Sequence, residues 1–311
     1  MKARIWTAMI AVYIAWGSTY LAIRFAVETM PPFLMAATRF LIAGGILFTW
    51  RRMAGDALPT RRQWKSAAII GLFLLLGGNG GVVWAEQRVV SGIAALMVGA
   101  SPLWMVLLDA LRPGGKRPGW QTWLGVLWGF SGIALLVGPA EFMGNGNHLD
   151  LAGVGVLLLA AFLWSVGSLY SRSACLPDSP LMGTSMEMLA GGAGLLIFGT
   201  LAGDWSRLDL AGIKMSSVWG LLYLIVFGSL VGFAAYTWLL RAAPTPLVST
   251  YAYVNPLVAI FIGNLLASEP LTPRILLAAG VIVSSVVLIN LSKAASTKNR
   301  EPTPAPCPGD D

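Results

Sequence analysis

The sequence predicts an all-α membrane protein whose ten transmembrane helices form two inverted five-helix repeats. Three observations predict it. Of 311 residues, 56% are hydrophobic and only 11% charged, whereas a water-facing domain needs about 25% charged residues. With a mean hydropathy of +0.72, the chain has lipid as its solvent. Ten apolar segments reach or approach the twenty or so helical residues that cross a hydrocarbon core of roughly 30 Å. The third observation is that residues 1–141 and 142–293 align with one another. Each half holds five segments, and this odd number places the second copy upside down in the bilayer.

The first segment, 5–25, follows Met1-Lys2-Ala3-Arg4. It is longer than a signal core, and no small-residue cleavage site follows it, so it reads as a retained span. The next is 32–50, opened by Pro31-Pro32 and closed before Gly55-Asp56; then come 66–84, 91–111 and 119–138, the last two separated by Pro113-Gly114-Gly115. Gly144-Asn145-Gly146-Asn147 separates the halves. The second half reads 151–171, 181–202, 217–240, 246–267 and 274–292, with turns at Pro177-Asp178 and Glu269-Pro270. Such short connections make sequential helices antiparallel neighbours. From 294 to 311 the chain is rich in Pro, Lys, Ser and Thr and predicts a disordered cytoplasmic tail.

Basic residues set the orientation. Lys2, Arg4, Arg51, Arg52, Arg61, Arg62, Lys65, Arg112, Lys116, Arg117, Arg172, Arg241, Lys293, Lys298 and Arg300 fall on one set of connections. Only Arg24, Arg88, Arg207, Lys214 and Arg274 fall on the other. Fifteen against five predicts that both termini are cytoplasmic; the expected location is the inner (plasma) membrane. The same distribution accounts for the net charge of +7 without a nucleic-acid partner. Cys175 and Cys307 are too few for a disulfide framework or a metal cage, and His148 sits in a polar loop with no motif around it. The residues thus predict no catalytic set, no metal and no cofactor.

Shifted by 148 residues, Trp16 falls on Trp164, Arg24 on Arg172, Pro32 on Pro180, Arg39 on Glu187 and Gly44 on Gly192; farther along, Gly77 and Gly81 fall on Gly228 and Gly232, and Pro102 on Pro256. Arg39 and Glu187 are charges inside membrane-length apolar runs. Such charges are costly and commonly pair, so the two are expected to act as a gating or structural charge pair, with contact to an anionic substrate as the alternative. Trp16 and Trp164, both at mid-span, suit the aromatic wall of a cavity as well as a core. Thr19 and Tyr20 lie a turn from Trp16. Asn79 lies in Gly77-Gly78-Asn79-Gly80-Gly81 and must find an interhelical partner or a wet cavity. Glu86 is either a solvated end charge or the rim of a path. Tyr251 and Asn255, in Ser249-Thr250-Tyr251-Ala252-Tyr253-Val254-Asn255-Pro256, form the densest polar cluster in any span. Pro256, and Pro102 at the matching place, are expected to break their helices.

The segments Trp16-Gly17-Ser18-Thr19-Tyr20, Gly78-Asn79-Gly80, Ala85-Glu86-Gln87, Ser91-Gly92-Ile93-Ala94-Ala95-Leu96, the Ser249–Pro256 stretch and Glu269-Pro270-Leu271 resemble the EamA-type drug/metabolite transporter (DMT) superfamily, and within it the YedA-like bacterial branch. The resemblance implies ten helices in two inverted halves, a central cavity and efflux of small metabolites or amphipathic, drug-like compounds. The expected partners are a small-molecule substrate and the lipid bilayer. Proton coupling and facilitated diffusion stand as alternatives, and the oligomeric state is unknown. A membrane-embedded enzyme would need a nucleophile and base, or metal ligands, at membrane depth. A passive pore would need a selectivity ring.

Overall fold

The computed structural model describes residues 2–111, 119–137, 150–243, 245–248 and 250–297. The loop residues 113–115 and 144–147, His148, Ser249, Cys307 and the tail from 298 onward lie outside them. Among the described residues, eight helices are long and apolar enough to cross a membrane: Ala3–Val27, Pro32–Met53, Arg61–Ala85, Ser91–Leu111, Trp120–Val137, Leu151–Ser171, Pro180–Leu201 and Met215–Tyr236. Two shorter apolar helices, Tyr251–Ala267 and Pro273–Ile289, complete ten spans. The last helix continues to Thr297, past the point at which the sequence predicts the tail. No strand occurs among the described residues.

Local chemistry sets the helix ends. Pro32 and Pro180 occupy first-turn positions in the second and seventh spans, where a missing N–H costs nothing. Thr60 and Gln63 form a reciprocal capping box at the start of the third span. Asp150 caps the sixth by accepting from Gly153 N at 2.8 Å. Apolar side chains cover the outside of the bundle: Ile10, Leu127, Ile197, Trp219 and Phe261 are all exposed, as a lipid-facing surface requires.

The packing pairs each half with the other. The second span lies along the seventh, the fifth along the tenth and the fourth along the ninth. The first packs on the eighth and ninth, and the sixth makes the matching contacts with the third and fourth. Small residues permit the closest approach. A Cβ on Gly71 would overlap the Glu187 carbonyl oxygen and lie 2.9 Å from Gly191 N, while one on Gly191 would lie 2.7 Å from Gly71 O. The third and seventh helices therefore touch backbone to backbone.

The third and eighth spans share an irregularity. Each contains an eight-residue π-helical stretch, Leu72–Asn79 and Leu224–Val231, followed at once by glycine, Gly80 and Gly232. The two stretches start at positions 152 residues apart, close to the offset that aligns the halves. Wide turns of this kind are rare and concentrate at functional sites.

The prolines act differently from one another. The fourth span breaks at Ala100 into Ser91–Gly99 and Ser101–Leu111, two residues before Pro102. Pro102 cannot donate to the Val98 carbonyl, which instead accepts from Ser101 Oγ at 2.5 Å. The ninth helix, in contrast, runs unbroken through Pro256 from Tyr251 to Ala267. Here the expected break is corrected: the chain turns earlier, at Thr250, after the short helix Thr245–Val248. The Pro256 ring lies against Gly99, where a Cβ would come 2.7 Å from its Cγ.

Candidate functional site

Two polar arrangements stand out within the bundle, one at mid-depth and one at an end. The first is built on Trp16. Its indole lies edge-on to Phe233 and Tyr251, with centroids 5.2 and 5.1 Å away, and tilts against Tyr236 at 5.0 Å. Tyr236 and Tyr251 meet at 5.5 Å. The indole N–H donates to the Gly228 carbonyl at 3.2 Å, inside the π-helical stretch of the eighth span. Tyr13 and Thr250 join hydroxyls close by. The result is a half-buried nest of rings and hydroxyls between the first span and the eighth and ninth.

The structure brings some of the expected residues together and separates others. Trp16 and Tyr251 share the nest. Asn255 lies one turn beyond Tyr251, buried, with its Oδ1 unpartnered. Thr19 is buried and donates to the Trp16 carbonyl at 2.5 Å. Trp164 is not in the nest. It lies against Gly78 of the third span, where a Cβ would come 3.0 Å from its Cε3. Asn79, next to Gly78, has a buried Oδ1 with no partner. Phe233 and Tyr236, which sequence reasoning passed over, carry no local mark within an aromatic-rich apolar run.

Arg39 and Glu187 form no ion pair. Arg39 is 3% exposed; its Nε donates to Ser229 Oγ at 2.9 Å, and its Nη1 has no partner. It turns toward the eighth span, whereas the matching position of the seventh span is half-buried and packs its backbone on Gly71. Repeat alignment put the two at equivalent depths, but equivalent positions of a pseudo-symmetric pair point to different neighbours.

The second arrangement lies at the end that holds the connection between the first two spans. The ninth helix ends at Ala267, and Ser268 takes a left-handed conformation at φ 52°, so that Glu269 N bonds back to Gly263 O at 3.1 Å. This turn delivers the Glu269 carboxylate to the start of the fourth span. Ser91 N, Ser91 Oγ and Gly92 N donate to it at 3.0, 2.7 and 3.1 Å, and Arg24 pairs with it. The fourth span has no side-chain cap of its own at Val90; a residue from the other half supplies one. Asp204 does the same for the second span, accepting from Phe33 N and Leu34 N at 3.0 and 3.3 Å. Both carboxylates are buried, Glu269 at 5% and Asp204 at 1% exposure. They tie loops of the second half over helix starts of the first.

Glu86 lies just beyond the last residue of the third span and is 4% exposed. It is therefore not a solvated end charge. Neither of its oxygens has a partner. Burial, with repulsion from Glu269 added and Arg24 opposing, holds its carboxyl well above the usual carboxylate range. Tyr20 is half-buried and packs against the main apolar core. No group of three or more metal-ligating side chains occurs among the described residues.

Comparison with known proteins places this arrangement in context. The EamA-like transporter family matches residues 4–138 and again 151–291. An inner membrane transporter of Escherichia coli (strain K12), YedA, is 39% identical over 288 residues, 92% of this chain and 90% of its own. A WAT1-related chloroplastic protein of Arabidopsis thaliana is 27% identical, covering 92% of this chain and 69% of its own. The transporter YvbV of Bacillus subtilis (strain 168) is 24% identical, covering 91% and 90%. One crystal structure superposes with a TM-score of 0.63 over 94% of this chain and 98% of that one, at 19% identity, a likeness of fold alone.

Proposed function

The chain belongs to the EamA-like transporter family, and from that premise we propose that this membrane transporter is an alternating-access carrier that exports small metabolites or amphipathic, drug-like compounds from the cytoplasm. Its two halves, 1–141 and 142–293, lie head-to-foot in the inner membrane, with both termini and the tail in the cytoplasm. The observation that carries this reading is the pair of π-helical stretches, Leu72–Asn79 and Leu224–Val231. A carrier whose halves exchange conformations needs a hinge in each, at corresponding depth. Wide turns followed by Gly80 and Gly232 give the third and eighth spans such a hinge.

The nest of Trp16 and Tyr251, with Tyr20, Thr19 and the unpartnered amide oxygens of Asn79 and Asn255, supports a substrate with an apolar body and hydrogen-bonding groups. Trp164 is its counterpart on the third span. Arg39, held by Ser229, and Glu187 act separately on the hinges they adjoin. The ties made by Glu269 and Asp204 close one end, and substrate drives opening only through unequal affinity for the two states.

Purified protein in sealed vesicles tests this. Saturable uptake of a labelled metabolite, accelerated by unlabelled metabolite inside, is the expected result. Non-saturating flux, or turnover without flux, contradicts it.

A further inference from the structure

Beside the Arg24–Glu269 tie lies a carboxyl group that the tie does not use. Glu86 is 4% exposed, and both its oxygens lack any hydrogen-bond partner. A carboxylate buried without partners costs several kcal/mol, so this group is neutral as packed. Its neighbour Glu269 is, in contrast, fully engaged by one guanidinium, two backbone N–H groups and a hydroxyl. Two carboxyl groups thus lie near one cation, and only Glu269 is met by hydrogen-bond donors.

We infer that Glu86 is a proton-binding site whose occupancy holds this end of the bundle shut. The inference rests on the carrier reading for its meaning, since a sealed end matters only if it opens. With the proton on, Glu86 packs as a neutral side chain beside Glu269. With it off, a second anion competes for Arg24 and requires water, which reaches it only if the Arg24–Glu269 and Ser91–Glu269 contacts part. Each opening releases one proton from the Glu86 carboxyl to water in the compartment that end faces, since among the described residues no group is hydrogen-bonded to it to take the proton. Each closure takes one back.

The charged and titratable groups facing Glu86 are Tyr20 and Arg24 from the first span and Glu269 from the turn after the ninth. Among the described residues, the second and sixth spans, which also pack on this segment, bring no further charge to bear on it. The sign follows. The closed state binds the proton more tightly than the hydrated open state, so closure is favoured at low pH and lost as pH rises through the closed-state value.

The test uses the full chain with Cys175 and Cys307 replaced by Ser, reconstituted in lipid nanodiscs, with spin labels at Glu28 and Leu271, both exposed. Electron–electron distances report the closed-to-open ratio. That ratio is expected to fall by about tenfold or more between pH 5 and pH 9, one proton allowing at most tenfold per unit. In Glu86→Gln it should change by less than about twofold, and Glu86→Asp should restore the response. A Glu86→Gln protein that follows the wild-type curve, or a wild type with no response, overturns the inference. Should Glu86→Gln fail to fold, the infrared spectrum of Glu187→Gln protein at neutral pH decides: a protonated-carboxyl band is expected, and its absence overturns. Vesicle counterflow on the same proteins separates the two readings. Flux with pH-insensitive distances removes the proton site alone, and pH-sensitive distances without flux remove the carrier alone.

Discussion

Trp16 and Gly228, 212 residues apart in sequence, are joined by a hydrogen bond from the indole N–H to the backbone carbonyl at 3.2 Å. It ties the first span, and with it the wall of the nest, to the π-helical stretch of the eighth, the proposed hinge. Replacing Trp16 by Phe keeps most of the ring packing and removes the donor. A neutral hydrogen bond contributes about 0.5–1.5 kcal/mol, so the half-saturating substrate concentration in counterflow should rise roughly two- to tenfold, with protein yield unchanged. A matching loss of yield would instead mark Trp16 as packing only.

Gly71 and Gly45 make an internal contrast. A Cβ at Gly71 would strike the Glu187 carbonyl and the Gly191 amide, both backbone and unable to yield, whereas one at Gly45 meets nothing within 4 Å. Gly71→Ala should separate the third and seventh helices and destabilise by about 1–3 kcal/mol or more. Gly45→Ala should be neutral or slightly stabilising, since Ala is the better helix former. Thermal unfolding in detergent, followed by intrinsic fluorescence, distinguishes them; equal melting temperatures would contradict the close packing.

For the tie at the end, the two partners should not be equivalent. Arg24 makes one contact with Glu269 and its side chain is 37% exposed, while Glu269 is 5% exposed and serves three further donors. Arg24→Gln therefore loses one partly hydrated pair, about 1 kcal/mol or less. Glu269→Ala strands the buried Ser91 and Gly92 amides at about 1–3 kcal/mol each. Melting temperatures should fall more for Glu269→Ala than for Arg24→Gln. Reversing both charges should not restore stability, because Arg at 269 offers the amides no acceptor.

Arg39 and Glu187 give the opposite expectation to the one their repeat positions suggest. Because Arg39 is held by Ser229 rather than by Glu187, the double exchange Arg39→Glu with Glu187→Arg should rescue neither single reversal. Ser229→Ala should reproduce part of the Arg39→Met defect. Rescue of transport at normal expression by the double exchange would show that the two charges meet in another state of the cycle.

How much of this was legible beforehand differs by distance along the chain. Each of the ten spans is a continuous apolar run, so length and hydropathy locate them to within a few residues. The nest was half legible: Trp16 and Tyr251 stand out beside polar neighbours, but Tyr236 and Phe233 do not. The tie at Glu269 was not legible at all. Its partners Ser91 and Gly92 lie 178 and 177 residues away, and a helix capped from the other half leaves no local signature, only a missing cap at Val90. Asp204 escaped notice for the same reason. Pro256 misled because a proline can lie within a helix without ending it, as it does between Tyr251 and Ala267.

The most direct test of the head-to-foot arrangement is side-specific thiol labelling in sealed cells, with single cysteines at Glu28, Leu58 and Asp178 in a background lacking Cys175 and Cys307. All three positions are exposed, and 28 aligns with the turn at 176–178 of the other half under the 148-residue shift. The account predicts that an impermeant reagent outside labels position 28 and leaves 58 and 178 unreacted until the membrane is broken. If positions 28 and 178 react from the same side, the halves are not inverted and an alternating-access carrier built on them is contradicted.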